Sequence, residues 1–205
     1  MSLQELLNSG NYFTDKGRFP NSKKYFDTSV VDLHNYIPTY EAIFLSMKNK
    51  YINFLEIGIY QGGSMKLWRD YFINANIIGI DIVYTETARN TLANTNVSIF
   101  LCDSTDSNSD VLIYKIKDME FDIIIDDGCH SFDSQYKTLI NYWGKLKQGG
   151  IYVIEDIEPR TLNNPHFIKK FKEINDFEIV NLSLQDNRDD SILFIFRKNA
   201  CIETK

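Results

Sequence analysis

A stretch of eight residues, Ile123–His130, constrains this chain more than any other. It reads Ile-Ile-Ile-Asp-Asp-Gly-Cys-His, so three β-branched residues lead directly into two acids, a glycine and a histidine. Such a run is typical of a buried strand that leaves the core and ends in a functional site. A second hydrophobic run, Ile151–Ile154, also ends in two acids, Glu155 and Asp156. Two strands that each end in paired carboxylates predict an enzyme with a metal site.

The composition indicates one globular domain and excludes several classes of protein. Of the 205 residues, 43% are hydrophobic and 14% aromatic, which is enough for a full core. The net charge is −6 and the basic residues are scattered, so no nucleic-acid partner is expected. No apolar run approaches the ~18 residues that span a bilayer, and the first residues lack the pattern of a secretory signal. No membrane association is therefore expected. The three cysteines lack CxxC spacing, which favours a reduced, cytoplasmic compartment.

Strand and helix patterns alternate from residue 51 onward. Strands are predicted at 52–57, 76–80, 97–102, 121–125 and 151–154, and helices at 62–72, 85–93, 109–117, 133–147 and after Pro165. In the helix at 133–147 one apolar stripe comprises Phe132, Tyr136, Leu139, Ile140, Trp143 and Leu146, and Gly149-Gly150 is expected to end it. This alternation implies a parallel sheet covered on both faces.

The last two strands are predicted at 177–184 and 191–197, joined by a polar turn. They leave no room for a crossover helix, so the C-terminal strand should be antiparallel. We therefore predict a Rossmann-like α/β fold: a doubly wound, mostly parallel seven-stranded sheet with an antiparallel C-terminal strand and helices on both faces.

The chain is predicted to be a single domain over residues 1–205. Residues 1–50 should form a helical and loop extension that contributes to the site, and residues 51–205 the core. Within the extension, residues 1–29 are polar and rich in turns, with a short helix near Leu3–Leu7. A second helix should follow Pro38, where apolar residues recur at helical spacing.

Acidic residues follow the predicted parallel strands, and ligands of doubly wound sheets bind beyond the carboxyl ends of such strands. These acids are Glu56, Asp81, Asp103, Asp126, Asp127, Glu155 and Asp156. We expect them to share one edge of the sheet, although each acid taken alone could be a helix cap or a solvated strand end.

The segment after the first strand has the features of a nucleotide-like site. It provides a glycine turn and a helix start, with Gly58, Tyr60, Gly62, Gly63 and Ser64 as candidate cofactor-binding residues. The spacing is not Gly-x-Gly-x-x-Gly, which disfavours a nicotinamide-dependent oxidoreductase. Glu56 adds a negative charge where a pyrophosphate would otherwise bind, so a ligand with an ammonium group is favoured.

The next strands complete this cofactor site. Asp81, with Ile82 after it, could accept hydrogen bonds from both ribose hydroxyls, and Asp103 could contact an adenine edge. Ammonium, ribose and adenine together describe S-adenosylmethionine. Asp126 is assigned either to the cofactor side or to holding the turn after its strand.

The acids after the fourth and fifth strands indicate a cation. Four carboxylates in one region must protonate, splay apart or bind a positive ion. An all-oxygen set favours Mg²⁺ first and Ca²⁺ or Mn²⁺ next. Neighbours in a regular strand point to opposite faces, so each acid pair can converge only where its strand breaks. Gly128 supplies such a break after Asp127, and Pro159 soon follows Asp156.

His130 is the candidate general base. It lies three residues after Asp127 and could take the proton from a substrate hydroxyl. The alternative is a histidine that caps the following helix. His34 and His166 have no comparable surroundings and are expected to be structural.

These motifs resemble class I S-adenosylmethionine-dependent O-methyltransferases that act on sugars, above all the magnesium-dependent macrolide-sugar and rhamnosyl enzymes. The resemblance spans roughly residues 14–156. Its motifs are Leu55–Gly58, Gly62–Ser64, Leu67-Trp68, Tyr71-Phe72, Ile78–Asp81, Ile125–His130 and Gly149–Asp156, with weaker matches at Thr14–Gly17 and His34–Glu41. The resemblance implies Asp127, Glu155 and Asp156 as metal ligands, His130 as the base, and Glu56 and Asp81 as cofactor carboxylates.

The chain departs from that family in three places. Cys129 stands where serine is usual. Ile157–Arg160 replaces an aromatic segment that often lines the acceptor site, which leaves the acceptor open. The large N-terminal region of the macrolide enzymes is also absent, so a minimal catalytic domain is expected.

The resulting hypothesis is a Mg²⁺-dependent O-methyltransferase that converts S-adenosylmethionine to S-adenosylhomocysteine. Its acceptor would be a hydroxyl of a sugar or glycosylated small molecule, with the metal chelating the acceptor diol and His130 as base. A catechol-type O-methyltransferase is the nearest rival enzyme. A non-catalytic protein that binds S-adenosylmethionine or a nucleotide is the alternative of another class. A homo-oligomer is left open.

Overall fold

The fold is organised on one sheet of seven strands in a computed structural model that describes residues 1–10, 12, 14–17 and 33–199. The strands are β1 Asn53–Ile57, β2 Asn76–Asp81, β3 Val97–Leu101, β4 Phe121–Asp126, β5 Leu146–Ile154, β6 Phe177–Asn181 and β7 Ile192–Arg197. Their spatial order is β3-β2-β1-β4-β5-β7-β6. β1 to β5 pair in parallel, and β7 runs antiparallel to both β5 and β6. The predicted fold class is confirmed.

Two helical layers cover the sheet because successive strand residues point to opposite faces. Phe54 and Ile123 belong to one core, and Leu55 and Ile124 to the other. The first core packs against helices Leu3–Ser9, Ile37–Phe44 and Gly63–Tyr71; the second packs against helices Phe132–Trp143 and Pro165–Ile174. Shorter helices are Leu45–Met47, Glu86–Thr91, Pro159–Leu162 and Ser183–Asp186.

The strand order reverses at β1, since β2 and β3 lie on one side of it and β4 and β5 on the other. Ile57 at the end of β1 pairs with Asp126 at the end of β4. A reversal of this kind opens a crevice at the carboxyl ends of the two central strands. The loops that follow β1 and β4 therefore frame the site.

The glycine pair Gly149-Gly150 does not end a helix, contrary to the prediction. The helix that was expected at 133–147 ends at Trp143, and Leu146 already pairs with Phe121 as the start of β5. Gly149 lies inside that strand with a φ of 78°. The two residues between the helix and β5 are enough for the turn. The glycines instead accommodate a local irregularity within β5.

Three smaller predictions also need correction. The helix expected at 109–117 is a single π-helical turn, Val111–Lys115. The strand expected at 177–184 ends at Asn181, because the short helix Ser183–Asp186 begins there. Ile140 is half exposed and is not part of the buried stripe, since it follows the buried Leu139 by about 100° around the helix.

The N-terminal extension contains the predicted short helix, Leu3–Ser9, which Ser2 caps by accepting a hydrogen bond from the Glu5 amide. Of the loop predicted at 1–29, residues 11, 13 and 18–29 lie outside the described residues. The helix predicted after Pro38 is Ile37–Phe44. Within the described ranges, no helix is both long enough and apolar enough to span a membrane.

Candidate functional site

Two cavities open beyond the carboxyl ends of the central strands and meet at the loops after β1 and β4. The first has a volume of about 510 Å³, and Asp81, Ile82 and Asp103 are among its lining residues. The second has a volume of about 280 Å³ and reaches His130 and Asp156. Residues common to both linings are Gly58, Tyr60, Asp127 and Gly128. Most of the predicted site residues therefore line one of two adjoining spaces.

Gly58 makes the close approach of the two loops possible. Its φ is 87°, a left-handed conformation that side chains disfavour, and a Cβ there would lie 2.0 Å from the Asp127 carbonyl oxygen. Backbone hydrogen bonds fix the approach from both sides: Gly58 N donates to Ile80 O and Asp127 N donates to Ile57 O, each at 2.8 Å. The wall between the cavities is therefore a backbone contact that only glycine allows.

Asp81 holds the loop after β1 in place. One carboxylate oxygen accepts from Ile59 N at 2.8 Å and Tyr60 N at 3.2 Å, and the other accepts from Val83 N at 3.1 Å. Tyr60 has a φ of 43°, a conformation that costs a non-glycine residue about 1–2 kcal/mol. Its side chain is 70% exposed, as is that of Ile82, so both leave apolar surface at the mouth of the first cavity.

Asp103 lies on the far wall of the first cavity. Its Oδ1 accepts from both the amide and the hydroxyl of Thr105, each at 2.8 Å. These bonds favour the ionised form and lower the pKa of Asp103.

The start of the helix Gly63–Tyr71 forms part of the second cavity. Gly62 precedes the helix with a φ of 81°, and Gly63 and Ser64 line the cavity. The first amides of a helix have no intrahelical acceptor, so this wall offers N–H donors. Gly62 itself lines neither cavity, and the cofactor-binding role of Gly62, Gly63 and Ser64 stays a prediction.

Glu56 is fully buried and lines neither cavity. The alternation of β1 directs it to the same face as Phe54, where its Oε1 lies 3.4 Å from the ammonium of Lys16. Burial raises the pKa of Glu56 to about 7, and the positive charge of Lys16 opposes that rise. Its carboxylate lies behind the cavity wall.

Asp126 points to the opposite face of the sheet. Its Oδ1 accepts from Gly128 N at 3.3 Å, and its Oδ2 has no hydrogen-bond partner among the described residues. Burial raises the pKa of Asp126 to about 8. Asp126 lines neither cavity, so of the two roles left open for it, this geometry supports holding the turn.

The strand break after β5 separates Glu155 from Asp156. Asp156 has a φ of 54°, a left-handed conformation outside the regular strand. Its Oδ1 accepts from the Tyr36 hydroxyl at 2.7 Å, and its Oδ2 lies 3.7 Å from His130 Nε2. His130 Nε2 is also 3.6 Å from Asp127 Oδ1. Asp127, His130 and Asp156 each offer a ligand atom within 4.8 Å of the others.

Glu155 faces away from this group. Both of its oxygens accept from the Lys16 ammonium at 2.8 Å, and its Oε1 also accepts from the Tyr40 hydroxyl at 2.5 Å. Burial raises the pKa of Glu155 well above its usual range, against the effect of Lys16. Its predicted role as a metal ligand stays a prediction.

Asp127 and His130 shift each other's pKa in opposite directions. Burial would raise the pKa of Asp127, but Lys16 and His130 together hold it below its usual value. The pKa of His130 is raised to about 9, first by the neighbouring carboxylate of Asp127 and further by Asp156. His130 is therefore placed to hold a proton between two carboxylates at the second cavity.

Several described residues of the N-terminal extension contact the site and were not proposed from the sequence as site residues. Thr14 and Asp15 line the second cavity, and Lys16, His34, Tyr36 and Tyr40 contact its acids. His34, expected to be structural, is buried with its Nε2 3.3 Å from Asp156 Oδ1 and its Nδ1 2.8 Å from Ser191 Oγ. With Asp15 it forms a second group of possible ligands around Asp156. The only sequence signal for these residues was the weak family matches at 14–17 and 34–41.

The donor set is chemically suited to a hard divalent cation. Asp127 and Asp156 offer carboxylate oxygens that lie close together. The left-handed backbone of Asp156 is a strained conformation that turns its side chain toward Asp127. An ion would be held by Asp127 and Asp156, and by Glu155 if its side chain moved away from Lys16.

Comparison with known proteins places the chain in a family. The profile of the family described as "Methyltransferase domain" matches residues 55–157, which run from β1 past the acids after β5. The chain belongs to this methyltransferase-domain family.

Curated relatives share the central part of the chain. It is 32% identical over 131 residues to the 8-demethyl-8-(2-methoxy-alpha-L-rhamnosyl)-tetracenomycin-C 3'-O-methyltransferase of Streptomyces olivaceus, covering 60% of this chain and 32% of that protein. It is 28% identical over 143 residues to the mycinamicin VI 2''-O-methyltransferase of Micromonospora griseorubida, covering 66% and 35%. The chain therefore spans about a third of the length of these relatives.

Solved structures agree with the fold. The MycE methyltransferase of the mycinamycin biosynthetic pathway, in complex with Mg and SAH, superposes with a TM-score of 0.60 at 26% identity, over 82% of this chain and 39% of that one. A second crystal form gives a TM-score of 0.68 at 20% identity, over 100% and 56%.

Proposed function

We propose that the chain is an S-adenosylmethionine-dependent O-methyltransferase that acts on a hydroxyl of a sugar or glycosylated small molecule. The observation that carries this proposal is the pair of adjoining cavities with Asp127 in the wall they share. The first cavity, with Asp81 and Asp103, suits a nucleoside. The second, with His130 and Asp156, suits a polar acceptor. The methyl group would be transferred where the two cavities meet, beside Gly58.

In this proposal the nucleoside of the donor lies in the first cavity, and its methionine moiety extends past Gly58 toward Gly63 in the second. Asp81 and Asp103 would accept hydrogen bonds from the ribose and the adenine, and the helix amides at Gly63 would face the polar end of the methionine moiety. Ile82 would cover one face of the base. These residues hold the sulfonium near the acceptor oxygen, which is the main contribution that a protein makes to an in-line transfer.

His130 would remove the proton of the acceptor hydroxyl as the oxygen attacks the methyl carbon. Its Nε2 lies within 3.7 Å of both Asp127 and Asp156, whose charges favour the protonated imidazole; a cation on these carboxylates would neutralise them and leave the imidazole free to accept the proton. Asp127 and Asp156, with Glu155, would hold a divalent ion, Mg²⁺ first and Mn²⁺ or Ca²⁺ next. When bound, such an ion would chelate neighbouring acceptor oxygens and make one hydroxyl more acidic.

The relatives support a sugar acceptor. Their names describe O-methylation of a rhamnosyl-tetracenomycin and of mycinamicin VI, and the MycE structure contains Mg and SAH. Turnover of glycosides with vicinal hydroxyls, compared with catechols, tests the acceptor class directly. Methylation of catechols alone would favour the rival enzyme. Tight binding of S-adenosylhomocysteine without turnover on either panel would favour a non-catalytic binder.

His130→Ala tests the base. We expect turnover to fall by about 10²- to 10⁴-fold, the usual contribution of a positioned general base, while S-adenosylhomocysteine binds within about threefold of the wild type. His166→Ala, at an exposed histidine far along the chain, is the matched control and should retain full turnover. Undiminished turnover in His130→Ala would exclude it as the base.

Asp127→Asn tests the ion. The variant keeps the shape of the side chain but loses its charge, so turnover should lose its dependence on added Mg²⁺ and fall to the level of chelator-treated wild type. Asp118→Asn, at an exposed position, controls for the change in net charge. Wild-type turnover that a chelator leaves unchanged would exclude the divalent ion.

A further inference from the structure

Lys16 is a buried cation with no place in the function proposed so far. Its residue is 0% exposed. Two backbone hydrogen bonds tie the short segment that carries it to the residues just before the helix Ile37–Phe44: Tyr36 N donates to Lys16 O at 3.0 Å, and His34 N donates to Asp15 O at 2.9 Å. The N-terminal extension thus delivers one ammonium group to the carboxyl edge of the sheet.

The ammonium lies among three carboxylates from three strands. Lys16 Nζ is 2.6 Å from Asp127 Oδ2, 2.8 Å from both oxygens of Glu155 and 3.4 Å from Glu56 Oε1. Burying a lysine in this way is unfavourable unless anions and hydrogen-bond acceptors surround it, as they do here. The buried group therefore sets one ammonium against three carboxyl groups.

We propose that Lys16 is a positioning residue that acts as the internal counter-ion of the candidate metal site. It holds Asp127 and Glu155 together before an ion arrives, and it weakens ion binding by competing for the same carboxylates. This inference rests on the divalent-ion site of the proposed function.

The competition follows from which oxygens are already engaged. Lys16 occupies Asp127 Oδ2 and both oxygens of Glu155, so the atoms that remain for an ion are Asp127 Oδ1 and Asp156 Oδ2. An ion at those atoms shares Asp127 with a fixed positive charge and meets its repulsion. Release of Glu155 from Lys16 would give the ion its third carboxylate.

The test is calorimetric titration of the full chain with MnCl₂ alone at pH 8, without cofactor or acceptor. Lys16→Met removes the charge and keeps most of the volume, so Mn²⁺ should bind at least tenfold more tightly than to the wild type. Lys16→Arg keeps the charge and should stay within about threefold. Tyr40→Phe removes the neutral donor to Glu155 and should also stay within about threefold, because the effect is one of charge. Equal or weaker binding by Lys16→Met would overturn the proposal.

Thermal unfolding provides a second reading of the same variants. Without an ion, Lys16→Met should melt at a lower temperature than the wild type, and saturating Mn²⁺ should raise its midpoint by more than it raises that of the wild type. If Lys16→Met does not fold, the double variant Lys16→Met/Glu56→Gln, which also loses one negative charge, is compared with Glu56→Gln alone. Mn²⁺ should again bind at least tenfold more tightly to the double variant.

The outcomes separate this inference from the function on which it rests. A wild type that binds Mn²⁺ while Lys16→Met binds it no more tightly refutes the role of Lys16 and leaves the metal site intact. If neither binds Mn²⁺, the divalent-ion part of the proposed function fails and the inference fails with it. Binding of S-adenosylhomocysteine, measured separately, reports whether the donor site stands in either case.

Discussion

Glu56 should make the stability of this protein fall as the pH rises from 5 to 8. Burial raises the pKa of its carboxyl from about 4.5 to about 7 in the folded protein. Between those two values the folded state binds more protons than the unfolded state, so the free energy of unfolding decreases with pH. The contribution is absent below pH 4.5 and complete above pH 7.

The size of the effect follows from the two pKa values. The rise in pKa from 4.5 to about 7 corresponds to about 3.5 kcal/mol at about 1.4 kcal/mol per pKa unit. Glu56→Gln keeps the shape and cannot ionise, so it removes this penalty. Relative to the wild type, the variant should therefore gain about 2–3 kcal/mol between pH 5 and pH 8, which is about 4–12 °C in melting temperature for a chain of this size.

Thermal unfolding of both proteins at half-unit steps of pH checks this prediction. Glu120→Gln, at an exposed position, controls for the loss of one negative charge. A constant difference between Glu56→Gln and the wild type from pH 5 to pH 8 would refute the reasoning. It would mean that the ammonium of Lys16, 3.4 Å from Glu56 Oε1, outweighs burial and keeps the carboxyl ionised throughout.

Two further predictions concern packing and are measured by urea unfolding. Gly58→Ala should destabilise the fold by more than about 2 kcal/mol, because its Cβ would meet a backbone oxygen 2.0 Å away at a φ of 87°. The control is Gly144→Ala, where no atom lies within 4 Å of the new Cβ, and it should change stability by less than about 1 kcal/mol. Comparable losses in the two variants would contradict the close approach of the loops. Leu139→Ala should cost about 2–5 kcal/mol as a buried truncation, whereas its half-exposed neighbour in Ile140→Ala should cost less than about 1 kcal/mol; equal costs would contradict the observed face of the helix.

The acids at the sheet edge were predictable because local sequence rules determine where strands end. Hydrophobic runs locate β1, β4 and β5, parallel pairing brings their carboxyl ends together, and Asp127 and Glu155 follow directly. Strand alternation even predicts that Asp126 and Glu155 lie on opposite faces, since Asp126 pairs with Ile154. What alternation does not provide is the turn of Asp156, which depends on a single left-handed residue.

The contacts of the N-terminal extension were not predictable in the same way. Lys16 meets Asp127 across 111 residues and Glu155 across 139, and no periodicity links positions so far apart. The helical spacing around Tyr40 predicts that its ring is buried. It does not predict the partner of the hydroxyl, which donates to Glu155. The glycine pair Gly149-Gly150 misled for a related reason: glycine marks a backbone irregularity, and the sequence does not say whether a helix ends or a strand bends there.

The stretch Ile123–His130 joins the two halves of the site through its backbone as much as through its acids. Asp126 is turned into the core and its Oδ1 accepts from Gly128 N, which shapes the turn. The carbonyl of Asp127 lies against Gly58, and both residues line both cavities. A shift of this turn would therefore move the wall of the donor space and the candidate base His130 together. In the proposed function, coupling of that kind would keep donor and acceptor in register during transfer.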